Sequence, residues 1–178
     1  MRRNLIRRDL FLFVFWIVVI GLCLNYGRRV NPWFEGRLGL WAGAGLVLAG
    51  LAALAWGVVL VSKMPPGSRL KAALALMGAA LGLGVLAWAQ PLLIERTHLL
   101  LYGVLGILTF RLCGHWFEDR RRLWAAVAIC ALLGGLDEVG QHLHPQRVGD
   151  LRDALTNAAA AALVIWAVWM LDRPRPRA

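Results

Sequence analysis

Cysteine and acidic charge are scarce in this chain. Only three cysteines, Cys23, Cys113 and Cys130, occur in 178 residues. None is paired in a C-x-x-C spacing, and all sit in or beside apolar runs. That excludes a disulfide framework and a zinc ribbon, and leaves them as small apolar fillers. Charged residues make up 17%, and ten acidic residues face twenty Lys and Arg. The resulting net charge of +10 does not indicate nucleic acid, because the basic residues are scattered over short loops and tails, as topology signals are. No A-x-A-like cleavage site follows the faintly twin-arginine-like string Arg7-Arg8-Asp9-Leu10-Phe11-Leu12. Leu22 before Cys23 does not suit a lipoprotein box, so the first apolar run reads as an uncleaved transmembrane helix. The sequence has no internal repeat and no matching pair of Gly/Pro-broken helices, which weighs against a transporter.

What the chain has in abundance is oil. Hydrophobic residues reach 60%, arranged in long, nearly charge-free runs that indicate an integral membrane protein. Six spans are expected, at about 10–26, 39–61, 70–89, 91–112, 123–144 and 150–171. The fold class is therefore all-α: a polytopic bundle of about six transmembrane helices. Two regions follow, 1–89 and 90–178, with three spans each. Lys and Arg set the orientation. Fourteen lie on one side: Arg2, Arg3, Arg7, Arg8, Lys63, Arg69, Lys71, Arg111, Arg120, Arg121, Arg122, Arg173, Arg175 and Arg177. Six lie on the other: Arg28, Arg29, Arg37, Arg96, Arg147 and Arg152. The positive-inside rule then places both termini in the cytoplasm. Trp33, Trp41 and Trp88 would mark the outer interface, Trp116 and Trp124 the inner one.

The last three spans have short uncharged stretches, 97–110, 123–136 and 154–171. The first two fall short of the ~20 residues a crossing needs. Each is completed by polar residues at its outer end: Glu95, Arg96 and His98; then Asp137, Glu138 and Gln141; then Asp150, Arg152 and Asp153. Charge between membrane-length apolar runs is costly and marks a site. The stretch 137–157 alone holds four carboxylates, two histidines, two arginines and an Asn.

On the fourth span, Glu95, His98 and Tyr102 are spaced to share one helix face. A Glu-x-x-His pair can relay a proton or bind a metal, or simply form a polar helix start with Tyr102 as an anchor. On the fifth span, Asp137, Gln141 and His144 share a face, and Glu138 and His142 a neighbouring one. At ~1.5 Å per residue, Asp137 lies about 21 Å from Leu123, still within a ~30 Å slab. The turn 145–149 carries Arg147, suited to a phosphate or carboxylate, or to neutralising Asp137 or Glu138. On the sixth, Asp150 can cap the helix and Asp153 can complement its dipole. Asn157 lies two turns inside and needs a partner across a helix interface.

Converging on one side of the membrane, these groups fit general acid/base work, or a divalent cation held by carboxylates with Arg147 steadying an anionic head group. The sequence leaves that choice, and any metal or cofactor, open. Candidate catalytic residues are Glu95, His98, Asp137, Glu138 and Asp153. Candidate binding residues are Arg147, Gln141, Asn157, Asp150 and Tyr102.

The pattern Glu95-x-x-His98-x3-Tyr102, Asp137-Glu138-x-x-Gln141, and Pro145-x-Arg147-x-Gly149-Asp150-x-x-Asp153-x3-Asn157 resembles the VanZ-like family of bacterial membrane proteins, over about residues 90–171. The resemblance implies a plasma-membrane protein of the cell envelope whose polar positions are Glu95, His98, Glu138, Gln141, Arg147, Asp150, Asp153 and Asn157. His142 and His144 lie outside the pattern. Glu95-Arg96 stands where the family has Asp followed by Lys. Founding members are linked to low-level teicoplanin resistance, but no other residue here carries that role over. Three functions are in contention. One is an envelope enzyme acting at the outer leaflet on an amphiphilic, phosphate-bearing lipid or cell-wall precursor. Another is a non-catalytic binder of such a head group. The third is a structural polar network between helices. The bilayer is the expected partner and the oligomeric state is open. Gly39, Gly43, Gly45, Ala49, Gly50, Ala53 and Gly57 on the second span permit close packing, more readily within the chain than between copies.

Overall fold

Apolar surroundings force each run to satisfy its backbone internally, so the runs become helices. The computed structural model describes residues 2–36, 39–143 and 150–172. They form six helices: α1 (Arg2–Glu35), α2 (Gly39–Ser62), α3 (Pro66–Ala89), α4 (Leu93–Cys113), α5 (Asp119–Leu143) and α6 (Leu151–Asp172). There is no strand among the described residues. By length and composition, α2, α3, α5 and α6 can each cross a membrane. Pro66 opens α3, a position where its missing N–H costs no helix bond.

Three helices, α1, α3 and α5, begin earlier than the apolar pattern indicates. α1 starts at Arg2, before its apolar run. α5 starts at Asp119, so Arg120, Arg121 and Arg122 form its first turn instead of a loop. Asp119 supplies the acid that favours a helix start. Its φ of 47° is a left-handed conformation that Asp tolerates better than most residues.

α6 is the centre of the bundle, packed against α3, α4 and α5. α1 lies against α4, and α2 leans mainly on α3. Small residues make the close approaches. Ala160 and Ala161 of α6 are fully buried, and a Cβ on Gly106 of α4 would lie 3.0 Å from the Ala161 carbonyl oxygen. Close backbone approach of this kind replaces the hydrophobic drive that lipid removes. On α2 the glycines behave differently. A Cβ on Gly57 would lie 2.7 Å from Leu76 of α3, whereas Gly45 and Gly50 have nothing within 4 Å. The core joins Tyr102, Leu105, Phe110, Cys130, Ala161 and Ile165. All three cysteines are free, with Cys113 and Cys130 buried and Cys23 exposed.

Alternating helix directions give the bundle two distinct ends. Arg152 at the start of α6 reaches the Ala89 carbonyl at the end of α3 (3.2 Å). At the opposite end, Arg2 reaches the His115 carbonyl just beyond α4 (3.1 Å). The polar stretches of α4, α5 and α6 thus gather at one end, and most of the arginines at the other.

Candidate functional site

The α6 start organises the polar end. Asp150 precedes the helix, and its Oδ1 accepts the Arg152 backbone N–H at 2.9 Å, the bond expected of an Asp cap. The Asp150 N–H in turn donates to Glu138 Oε2 of α5 at 3.0 Å. Gln141, one turn after Glu138, donates from Nε2 to Glu138 Oε1 (2.9 Å) and to Asp137 Oδ2 (3.4 Å). Glu138 and Gln141 are both buried. Tyr102 of α4, 1% exposed, directs its hydroxyl to the Asp137 carboxylate. His98, one turn earlier on α4, lies within electrostatic range of Asp153 on α6. Asp137, Asp150 and Asp153 all act electrostatically on Glu138.

Asn157 lies four residues beyond Asp153, on the same face and deeper in the bundle. It is 2% exposed, and its Nδ2 has no hydrogen-bond partner among the described residues. Gly134 of α5 packs beside it. A Cβ at that glycine would lie 3.6 Å from Asn157 Cβ, 3.6 Å from Tyr102 Cε1 and 3.5 Å from the Ala154 carbonyl oxygen. Gly134 is therefore where the three helices meet, directly below the carboxylates. The motif reading missed it; its one sequence signal is a Gly-Gly pair a single turn before Asp137.

The cluster brings together His98, Tyr102, Asp137, Glu138, Gln141, Asp150, Asp153 and Asn157. Glu95 is directed elsewhere: its Oε2 accepts the Leu92 N–H at 3.3 Å, closing the start of its own helix. Arg96 likewise turns back to the Gln90 carbonyl (3.2 Å). His142 is exposed. Arg147 and His144 lie outside the described residues, as does the rest of the turn 145–149. Among the described residues, no three His, Cys, Asp or Glu side chains are grouped to hold a metal ion.

A second polar cluster, at the opposite end, was not signalled by the motif. Asp9 of α1 is buried at 6% exposure. Its Oδ1 accepts from Arg111 Nη2 (3.0 Å) and Arg8 Nη2 (3.4 Å), and its Oδ2 lies 3.0 Å from His115 Nε2. Burial acts to raise the Asp9 pKa, but the His115 hydrogen bond and the Arg111 and Arg8 charges outweigh it and hold the carboxyl below its ordinary value. Counting Arg8 and Arg111 only as topology charges hid this acid. Nearby, Arg122 stacks over the Phe110 ring at 3.7 Å, donates from Nε to the Phe110 carbonyl (2.9 Å) and pairs with Asp172.

The family model described as VanZ/LLP1 matches residues 51–172. No curated protein and no solved structure matches the chain significantly. The matched stretch contains every member of the polar cluster. It also begins upstream of the motif at residue 90, taking in α3 and the second half of α2. Because the match spans more than half of the 178 residues, and covers the helices that carry the polar cluster, the chain belongs to the VanZ/LLP1 family.

Proposed function

We propose that this protein sits in the bacterial plasma membrane with six crossings and both termini cytoplasmic, and that its α4–α5–α6 cluster opens outward to receive the head group of an amphiphilic envelope ligand. The division at residue 90 then separates three supporting helices from three that carry the site. The observation that carries this reading is the buried Asn157 Nδ2, which has no hydrogen-bond partner among the described residues and lies below a set of carboxylates. A finished structural network leaves few buried donors unpaired. Within the site, His98, Asp137, Glu138 and Asp153 are the acid/base candidates. Tyr102, Gln141, Asp150, Asn157 and Arg147 are the binding candidates, with Arg147 suited to a phosphate. Glu95 has a lesser role, because its carboxylate is engaged at its own helix start.

The test is turnover or retention of lipid-linked envelope precursors in proteoliposomes, with Glu138→Gln as the control. Loss in the variant with an unchanged melting temperature supports the reading; equal behaviour of both proteins refutes it. A structural network is the competing account, favoured by the way Glu138 holds the Asp150 N–H and the Gln141 amide. It requires Glu138→Gln and Asp153→Asn to lower detergent stability with no separate functional loss.

A further inference from the structure

Charge and hydrogen-bond demand at the polar end narrow the class of ligand. Asp137, Asp150 and Asp153 surround Glu138 electrostatically. His98 and Arg152 are the described cations that act on Asp153, and the Arg152 guanidinium also reaches away to the Ala89 carbonyl at 3.2 Å. Among the described residues the wall is therefore acidic and accepts hydrogen bonds. The floor has the opposite need. Asn157 Nδ2 is a donor at 2% residue exposure with no acceptor among the described residues; Gly134 lies beside Asn157 Cβ. A ligand that suits both surfaces has a positively charged donor and, within a few bonds, an acceptor oxygen. A quaternary ammonium supplies charge but no N–H. A simple anionic head group supplies acceptors but no cation.

We propose that the cluster on α4, α5 and α6 takes the head group of a primary-amine amphiphile, its ammonium among Asp137, Glu138 and Asp153 and its neighbouring oxygen on Asn157 Nδ2. This rests on the reading of the same cluster as a head-group site, and it names the head group. The bilayer supplies such a ligand in the plane of the protein, and its acyl chains lie along apolar faces that are already exposed on α5 and α6 at Leu136, Val139, Leu151 and Leu155.

The experiment uses the full chain in mild detergent, with ligand retention read by native mass spectrometry. The probes are lysophosphatidylethanolamine, lysophosphatidylcholine, lysophosphatidylglycerol and free phosphoethanolamine. The amine lipid is expected to be retained about tenfold or more over the choline lipid, the scale of one charge-assisted hydrogen bond. It is also expected to exceed free phosphoethanolamine, which lacks the buried chain. Asn157→Leu and Asp153→Asn should each reduce retention about tenfold. Asn157→Leu should melt no lower than the parent protein, because it removes a donor that has no described partner. Equal retention of amine and choline lipids, or full retention in Asn157→Leu, overturns the proposal. Equal binding of free phosphoethanolamine overturns its lipid part. Preference for the glycerol lipid overturns the proposal but leaves a head-group site standing. Retention of no lipid at all removes both.

Discussion

Asp9 offers the clearest test of how the bundle is held together. Its carboxylate ties α1 to α4 through Arg111 and His115, each at 3.0 Å, while Arg8 on its own helix adds a weaker contact at 3.4 Å. The Arg111 and Arg8 side chains are 44% and 55% exposed, so water replaces much of what they lose, and each contributes only a fraction of a kcal/mol, about what a surface pair gives. His115 is 15% exposed and Asp9 8%, so that hydrogen bond is formed largely out of water and contributes about 1.5 kcal/mol. Asp9→Asn is therefore expected to cost about 2 kcal/mol, which for a chain of this length lowers Tm by about 4–8 °C. The assay is thermal unfolding of purified protein in detergent, with Arg3→Gln as a surface control. The pH dependence has a definite sign. Asp9 is held below its ordinary value of 3.8, so its contribution is fully present above that value and is lost as pH falls through the lower, folded pKa. The gap between parent and variant should stay constant from pH 7 to pH 5 and close only below about pH 4. Identical melting at pH 7 would refute the clasp, as would a gap that closes already at pH 5.

Helix contacts give three further expectations. Gly106→Ala places a Cβ 3.0 Å from the Ala161 carbonyl oxygen and 3.2 Å from Ile165 Cγ1, so backbone must move. The expected cost is about 1–3 kcal/mol in the same melt, whereas Gly45→Ala, with nothing within 4 Å, should be neutral or slightly stabilising. Trp16→Phe removes the 2.8 Å bond from Trp16 Nε1 to the Leu101 carbonyl and should cost about 1 kcal/mol, most visible as faster hydrogen exchange along α1. Gly134→Ala meets its neighbours at 3.5–3.6 Å, ordinary contact distances, and gains helix propensity. Tm is expected to hold or rise by about 2 °C, while a fall would show that α4, α5 and α6 are closer there than described.

The helices were legible because lipid leaves a long apolar run few other options. Their polar ends were legible because charge there is rare. Spacing alone placed Asp153 and Asn157 on one face and Gln141 with Asp137, although Gln141 makes its shorter bond to Glu138 on the neighbouring face. It failed where a side chain had a nearer partner than the one across the bundle. Glu95 matches the motif, yet its carboxylate turns back to the Leu92 N–H, a local bond that helix spacing does not distinguish from an inward one. It failed again at Asp9, where partners 102 and 106 residues away are set by how α1 lies against α4. Gly134 was silent for a related reason: a glycine in an apolar run signals small size, but not which helices close on it.

The two ends of the bundle solve the same electrostatic problem in opposite ways. At the basic end, Asp9 meets Arg8, Arg111 and His115, and Asp172 meets Arg122. Opposite charges are matched there, at a partly solvated helix end. At the other end, Glu138 is surrounded electrostatically by Asp137, Asp150 and Asp153, and a buried amide donor lies below them without a described acceptor. Among the described residues, one end pairs its charges and the other crowds like charges. Like charges held close cost folding energy, and such arrangements persist where a ligand or a proton supplies what is missing. The contrast between the described parts of the two ends, within one small bundle, is the physical argument for proposing the α4–α5–α6 cluster as a site.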